Sequence, residues 1–138
     1  MNEKYNASGA KDVTAFDAVN AADMEMEVSR RPVVYICSPY SGDTERNKAN
    51  ARRYSRFACL HGAVPFTPHI LFTQYLDDDV KSERTLAMCM NRKMIRRCDE
   101  LWVFGKRMST GMKEEISFAK RNGIKIRYFT ESCREVKD

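Results

Sequence analysis

The chain has 138 residues, which suits one domain with its own core and not two of comparable size. Its apolar share of 43% is ordinary, and no apolar run approaches the roughly 20 residues that cross a bilayer, so a spanning helix is excluded and a soluble chain is expected. The net charge of +5 is uneven: residues 1–30 hold three basic and six acidic side chains, leaving 21 basic against 13 acidic in a body suited to phosphate, on a small ligand or on nucleic acid.

Residues 1–30 read as an acidic leader of weak periodicity. Val13, Phe16, Val19 and Val28 mark at most a short amphipathic helix, and the leader is expected to be partly disordered. Met1 to Ala10 is polar and lacks the apolar stretch and cleavage site of a signal peptide, so the expected location is the cytoplasm. The body, residues 31–138, opens with Val33-Val34-Tyr35-Ile36-Cys37, a continuous β-branched and aromatic run expected of a strand buried on both faces. A turn-rich loop, Ser38 to Asp43, leads to a helix capped by Asp43 or Thr44 and running to His61, with Gly62 as its stop. Ala51, Tyr54, Ala58 and Leu60 form its predicted inward stripe.

A second strand, Ala63 to Phe66, precedes Thr67-Pro68-His69 and a short helix through Tyr75, which Asp77-Asp78-Asp79 ends. Ser82 is the predicted cap of a longer helix whose Leu86, Cys89, Met90, Met94 and Cys98 follow helical spacing. Leu101 to Phe104 is a third buried strand; Ser109 or Thr110 caps a helix to Asn122, and Gly123 ends it before strand four, Ile124 to Phe129. Strands alternating with helices predict a three-layer α/β domain, Rossmann-like or flavodoxin-like, with a parallel sheet of four to five strands and right-handed crossovers. The five cysteines lack zinc spacing and lie mostly among apolar neighbours, which predicts reduced, buried thiols and no metal site.

In such sheets ligands lie beyond the carboxyl ends of the strands, where loops lead into helix amino termini. Two loops have that character. In the first, Ser41 and Gly42 let backbone approach an anion and Tyr40 offers a ring for stacking, although neither a G-x-G-x-x-G nor a P-loop lysine is present and an ordinary turn reads the same way. In the second, Ser109, Thr110 and Gly111 offer hydroxyl and N–H groups to a phosphate. Glu115 falls about one turn inside that helix, facing a pocket or serving as a first-turn acid favoured by the macrodipole.

Together these loops, with Tyr35-Ile36-Cys37-Ser38-Pro39-Tyr40-Ser41-Gly42, Cys98-Asp99-Glu100-Leu101-Trp102-Val103-Phe104, Ser109-Thr110-Gly111 and Glu115-Ile116-Ser117-Phe118-Ala119, resemble the nucleoside 2-deoxyribosyltransferase superfamily, and most of all its small, often phage-encoded members. The resemblance spans roughly residues 32–129. It implies that Glu115 is the nucleophile at C1′ of the sugar, that Tyr35 assists there, and that no cofactor is needed. The chemistry implied is that of retaining glycosidases, in which a close carboxylate traps oxocarbenium character. Ser109 stands where the transferases carry a base-binding aspartate and the related nucleoside 5′-monophosphate N-glycosidases carry a phosphate-binding serine, which leans toward a monophosphate and hydrolysis.

Two departures matter. Asn91 occupies the position of an aspartate that holds or protonates the leaving base; an amide can hold a base but cannot act as a general acid, a loss typically of about 10²- to 10⁴-fold. Asp77, Asp78, Asp79 and Glu83 are alternative proton sources. Pro39 replaces a serine of the monophosphate hydrolases, removing one phosphate donor. His69 lies at the same end of the sheet as a sugar or base contact or as a satisfied loop residue. The basic clusters Arg52, Arg53, Arg56 and Arg92, Lys93, Arg96, Arg97 read as solvated helix faces or, by the resemblance, as subunit contacts of a homo-oligomer. A small-molecule nucleoside or nucleotide is thus the expected partner. A catalytically weak nucleotide-binding module, and a nucleic-acid or protein adaptor, are the alternatives.

Overall fold

The computed structural model describes residues 20–137. The chain divides into two compact units, Met1–Arg31 and Pro32–Asp138. In the first, helix α1 (Ala21–Ser29) starts at Asn20, whose side chain accepts from the Asp23 N–H at 2.9 Å, and it buries no side chain. The expectation of disorder and the helix marked by Val13, Phe16 and Val19 fall on residues 1–19, outside the described residues.

The second unit runs β1 (Val33–Cys37), α2 (Thr44–Leu60), β2 (Val64–Phe66), α3 (Pro68–Leu71), a 3₁₀ turn (Phe72–Gln74), α4 (Lys81–Arg97), β3 (Glu100–Phe104), α5 (Thr110–Arg121), β4 (Lys125–Phe129) and β5 (Glu135–Val136). The strand order is β2-β1-β3-β4-β5, the flavodoxin-like order, with β1–β2, β1–β3 and β3–β4 parallel. The sheet is thus the expected mostly parallel one, with a fifth strand at its edge. That strand is antiparallel to β4, a two-residue edge too short to show any period of two, and it is held by a two-pronged ion pair from Arg127 to Glu135 at 2.7 and 2.9 Å.

Alternation along the strands sorts the core into two layers. Val34, Ile36, Trp102 and Phe104 face α2, where Tyr54 stacks on Phe104 with ring centroids 4.3 Å apart and Ala58 lets the helix approach closely. Tyr35, Cys37, Leu101 and Val103 face Ile95 of α4 and Met112, Phe118 and Ala119 of α5. Full burial of a side chain such as Ile95 is worth about 1.5–3 kcal/mol. The two basic helix clusters therefore lie on α2 and α4, against opposite faces of the sheet.

Several local readings need correction. Leu60 is 38% exposed, because the inward stripe of α2 ends at Ala58 one turn before Gly62 reverses the chain at φ +84°. Helix α4 starts at Lys81 with Val80 as its cap residue, so Ser82 is already helical. Its inner face is Asn91 and Ile95, whereas Leu86 is 50% exposed and Cys89 is exposed. Of the cysteines only Cys37 and Cys98 are buried; Cys59 and Cys89 are exposed and Cys133 is partly so. Asp99, within the resembling motif, is a clamp between strands: its carboxylate accepts from the Val33 N–H at 2.8 Å and its own N–H donates to the Val33 carbonyl. No helix among the described residues is long and apolar enough to cross a membrane.

Candidate active site

Neighbouring strands β1 and β3 send their following loops to opposite helices, α2 and α5, and this divergence opens a crevice at the carboxyl end of the sheet. A cavity of about 340 Å³ lies there, walled by the β1 loop (Tyr40, Ser41), the start of α3, the α4 face from Arg84 to Arg92, and the first turns of α5 from Ser109 to Glu115.

Helix α5 carries the acid. Ser109 caps it, its Oγ accepting from the Met112 N–H at 3.2 Å, which leaves the first-turn N–H groups of Thr110 and Gly111 without helical partners beside the cavity. Glu115, five residues past Thr110, reaches back over the sheet. Its Oε2 accepts from the Tyr35 hydroxyl at 2.6 Å and from the Asn91 amide at 3.5 Å, and the Cys37 thiol also hydrogen-bonds to it. Burial raises the Glu115 carboxyl from its ordinary 4.5 to about 7, against the three donors, which favour the charged form, while neighbouring Glu114 adds to the rise. Burial, then the Glu115 charge, pushes the Tyr35 and Cys37 protons well above their ordinary range, so both groups remain donors. The result is a carboxylate poised near neutrality at a cavity wall, aimed by a tyrosine, a thiol and an amide.

Of the residues singled out from sequence, Glu115, Ser109, Thr110, Gly111, Tyr40, Ser41, Asn91 and His69 line this one cavity. Tyr35 stands behind Glu115, fully buried, touching the carboxylate from the core side. Gly42, at φ +97°, lines an adjoining hollow with Asp77, Asp79 and Glu83, which shares Tyr40, Ser41, Thr73 and Asp78 with the cavity. Tyr40 already has a stacking partner in His69, with ring centroids 5.1 Å apart and planes at 26°. His69 Nε2 lies 2.9 Å from the Ser38 carbonyl, which can only accept, so that nitrogen carries the proton; burial lowers the pKa of the ring. The pair is a rigid aromatic wall. Asn91 is buried and its Oδ1 has no hydrogen-bond partner among the described residues, an acceptor left for a ligand.

Cys37, Arg84 and the cavity position of Arg92 escaped the sequence reading. Cys37 touches Glu115, and its spacing of two from Tyr35 along a strand was the signal that both share a face. Arg84 and Arg92 line the cavity at i and i+8 of α4, and of the four acids named above as alternative proton sources Asp78 lines it with them. Arg92, assigned above to a surface cluster, lies 3.9 Å from Glu114 at the cavity mouth.

The model of a family described as a domain of unknown function, DUF7768, matches residues 32–129, the whole sheet through β4 with the helices between. The chain belongs to the DUF7768 family. No curated protein matches the sequence. Among solved structures, this DUF7768 member superposes on a 2-deoxyribosyltransferase from the psychrotolerant bacterium Bacillus psychrosaccharolyticus, described as a biocatalyst for nucleoside synthesis, with a TM-score of 0.55, 17% identity and 77% of each chain covered. At that identity the likeness is one of fold.

Proposed function

We propose that this DUF7768 domain cleaves the N-glycosidic bond of a nucleoside or nucleoside 5′-monophosphate, with Glu115 as nucleophile. One observation carries the reading: the Glu115 carboxylate lies on a cavity wall, held by the Tyr35 hydroxyl at 2.6 Å, where burial raises its pKa to about 7. The shared fold with a 2-deoxyribosyltransferase supports it. In the step proposed, a Glu115 oxygen bonds to C1′ as the C1′–N bond breaks and its electron pair leaves with the base. Water then releases the sugar by hydrolysing the ester, or a second base takes it, giving transfer. Tyr35 and Cys37 position the carboxylate and favour its ionised form against the burial that raises its pKa. The free N–H groups of Thr110 and Gly111, with Arg84 and Arg92, suit a phosphate on the substrate.

Asn91 supports a second reading, a nucleotide-binding module of weak activity, because an amide supplies no proton to the departing base. Asp78 lines the same cavity and is the carboxyl group we assign to compensate. The test is incubation of the purified protein with deoxynucleosides and their 5′-monophosphates, with and without an acceptor base, following free base by chromatography. Release that is lost in Glu115→Ala supports the glycosidase, and dependence on the acceptor identifies transfer. Thermal stabilisation by nucleotides without release supports the binding module; at a ligand concentration 100 times Kd it amounts to about 2.7 kcal/mol.

A further inference from the structure

A second cavity, of about 270 Å³, opens on the other face of the sheet and shares no lining residue with the Glu115 cavity. Its floor is Tyr54, Phe104 and Ser38. Ser38 is 1% exposed and continues the alternation of Val34 and Ile36, both packed on the α2 side, so its side chain turns to this cavity and away from Glu115. Its hydroxyl has no hydrogen-bond partner among the described residues. A buried hydroxyl left unpaired is costly, and its retention beside a cavity marks a place where a ligand completes it.

The rim supplies the charges. Arg46 from α2 and Arg107 from the loop after β3 are exposed at its edge, and neither guanidinium forms an ion pair among the described residues. The first turn of α2 adds partial positive charge. Asp43 and Glu131 also line the cavity, so a bare anion meets two carboxylates as well as two guanidiniums. A ligand that joins a phosphate to hydroxyl groups satisfies both sets, since carboxylates accept from hydroxyls. The volume is near the lower end of small-molecule sites, roughly 300–1,000 Å³.

We propose that this cavity binds a sugar phosphate, its phosphate against Arg46 and Arg107 and its hydroxyls against Ser38, Asn50 and Glu131. The site is independent of the Glu115 chemistry. Titration calorimetry of the full chain with ribose 5-phosphate tests it, with inorganic phosphate and ribose as separate probes. Binding is expected to be equal in the wild type and in Glu115→Gln, at least about tenfold weaker in the Arg46→Ala, Arg107→Ala double variant, and several-fold weaker in Ser38→Ala, whose melting temperature does not fall. The double variant changes exposed side chains only, so its fold is expected to survive. No binding of ribose 5-phosphate overturns the proposal. So does binding that is lost in an Arg84→Ala, Arg92→Ala double variant but unchanged in the Arg46→Ala, Arg107→Ala one, which places the phosphate in the Glu115 cavity, and so does inorganic phosphate binding as tightly as the sugar phosphate, which leaves an anion site alone.

Discussion

Glu115 carries the largest electrostatic cost in the proposed site. Its carboxyl titrates at about 7 when folded and near its ordinary 4.5 when unfolded, so between those values the folded chain holds the extra proton. Stability from this group is therefore present at pH 4.5 and lost as pH rises through 7, by roughly 3 kcal/mol in full. Glu115→Gln, neutral throughout, is expected to melt above the wild type at pH 8 and alongside it at pH 5 in calorimetry; an equal offset at both pH values would assign the effect to packing. Tyr35→Phe removes a donor to the charged form, a bond worth about 1.5–3 kcal/mol, and is expected to move the ionisation governing the pH–rate profile upward by about 1–2 pH units, with activity partly regained toward pH 9. An unmoved profile would mean that Glu115 is not the group observed. Asn91→Asp sets a second carboxyl about where the Asn91 amide meets Glu115 at 3.5 Å; the two cannot both ionise at neutral pH, and the retained proton becomes available to the base. A gain in base release of about 10²-fold or more is expected, and no gain would show that proton supply is not limiting. That Glu115, Ser109 and Asn91 line one cavity was legible because each lies in or beside a stretch singled out in the sequence. The place of Arg84 and Arg92 was not, because only the fold brings a helix face and loops from separate stretches to one cavity.

At the scale of elements, strands β1 and β3 could be read directly, since runs such as Val34 to Cys37 and Leu101 to Phe104 have no other stable home than a sheet covered on both faces. The phase of α4 could not. Of Leu86, Cys89, Met90, Met94 and Cys98, which share a helical spacing, Cys98 is buried in the core and Met94 packs against it, while toward the start of the helix the face turned inward carries Asn91 and Ile95 and leaves Leu86 and Cys89 exposed. Ile95→Ala is accordingly expected to cost about 2–5 kcal/mol and Leu86→Ala about 0.5 kcal/mol or less in denaturant unfolding; the reverse ranking would refute this orientation of α4. The edge strand β5 was invisible for a different reason: it is fixed by the Arg127–Glu135 pair and by the turn at Thr130 to Arg134, not by its own two residues.

Across the whole of the second unit, the sheet separates two cavities, one on each face. One face carries Glu115 over Tyr35 and Cys37, the other carries the Ser38 cavity, and the β1 loop stands between them, tied to α2 by the Asn47 amide at the Tyr40 and Ser41 carbonyls. A basic body of +5 net charge for the chain favours phosphorylated ligands on either side. The account stands or falls on Glu115 forming a bond to sugar. The protein would be mixed with a deoxynucleoside or its 5′-monophosphate, quenched early, digested and weighed by mass spectrometry. The predicted result is a deoxyribosyl mass, with or without its phosphate, on the peptide containing Glu115, and its absence, together with base release, in Glu115→Gln. Base release that persists undiminished in Glu115→Gln, or a sugar adduct on another residue, would contradict it.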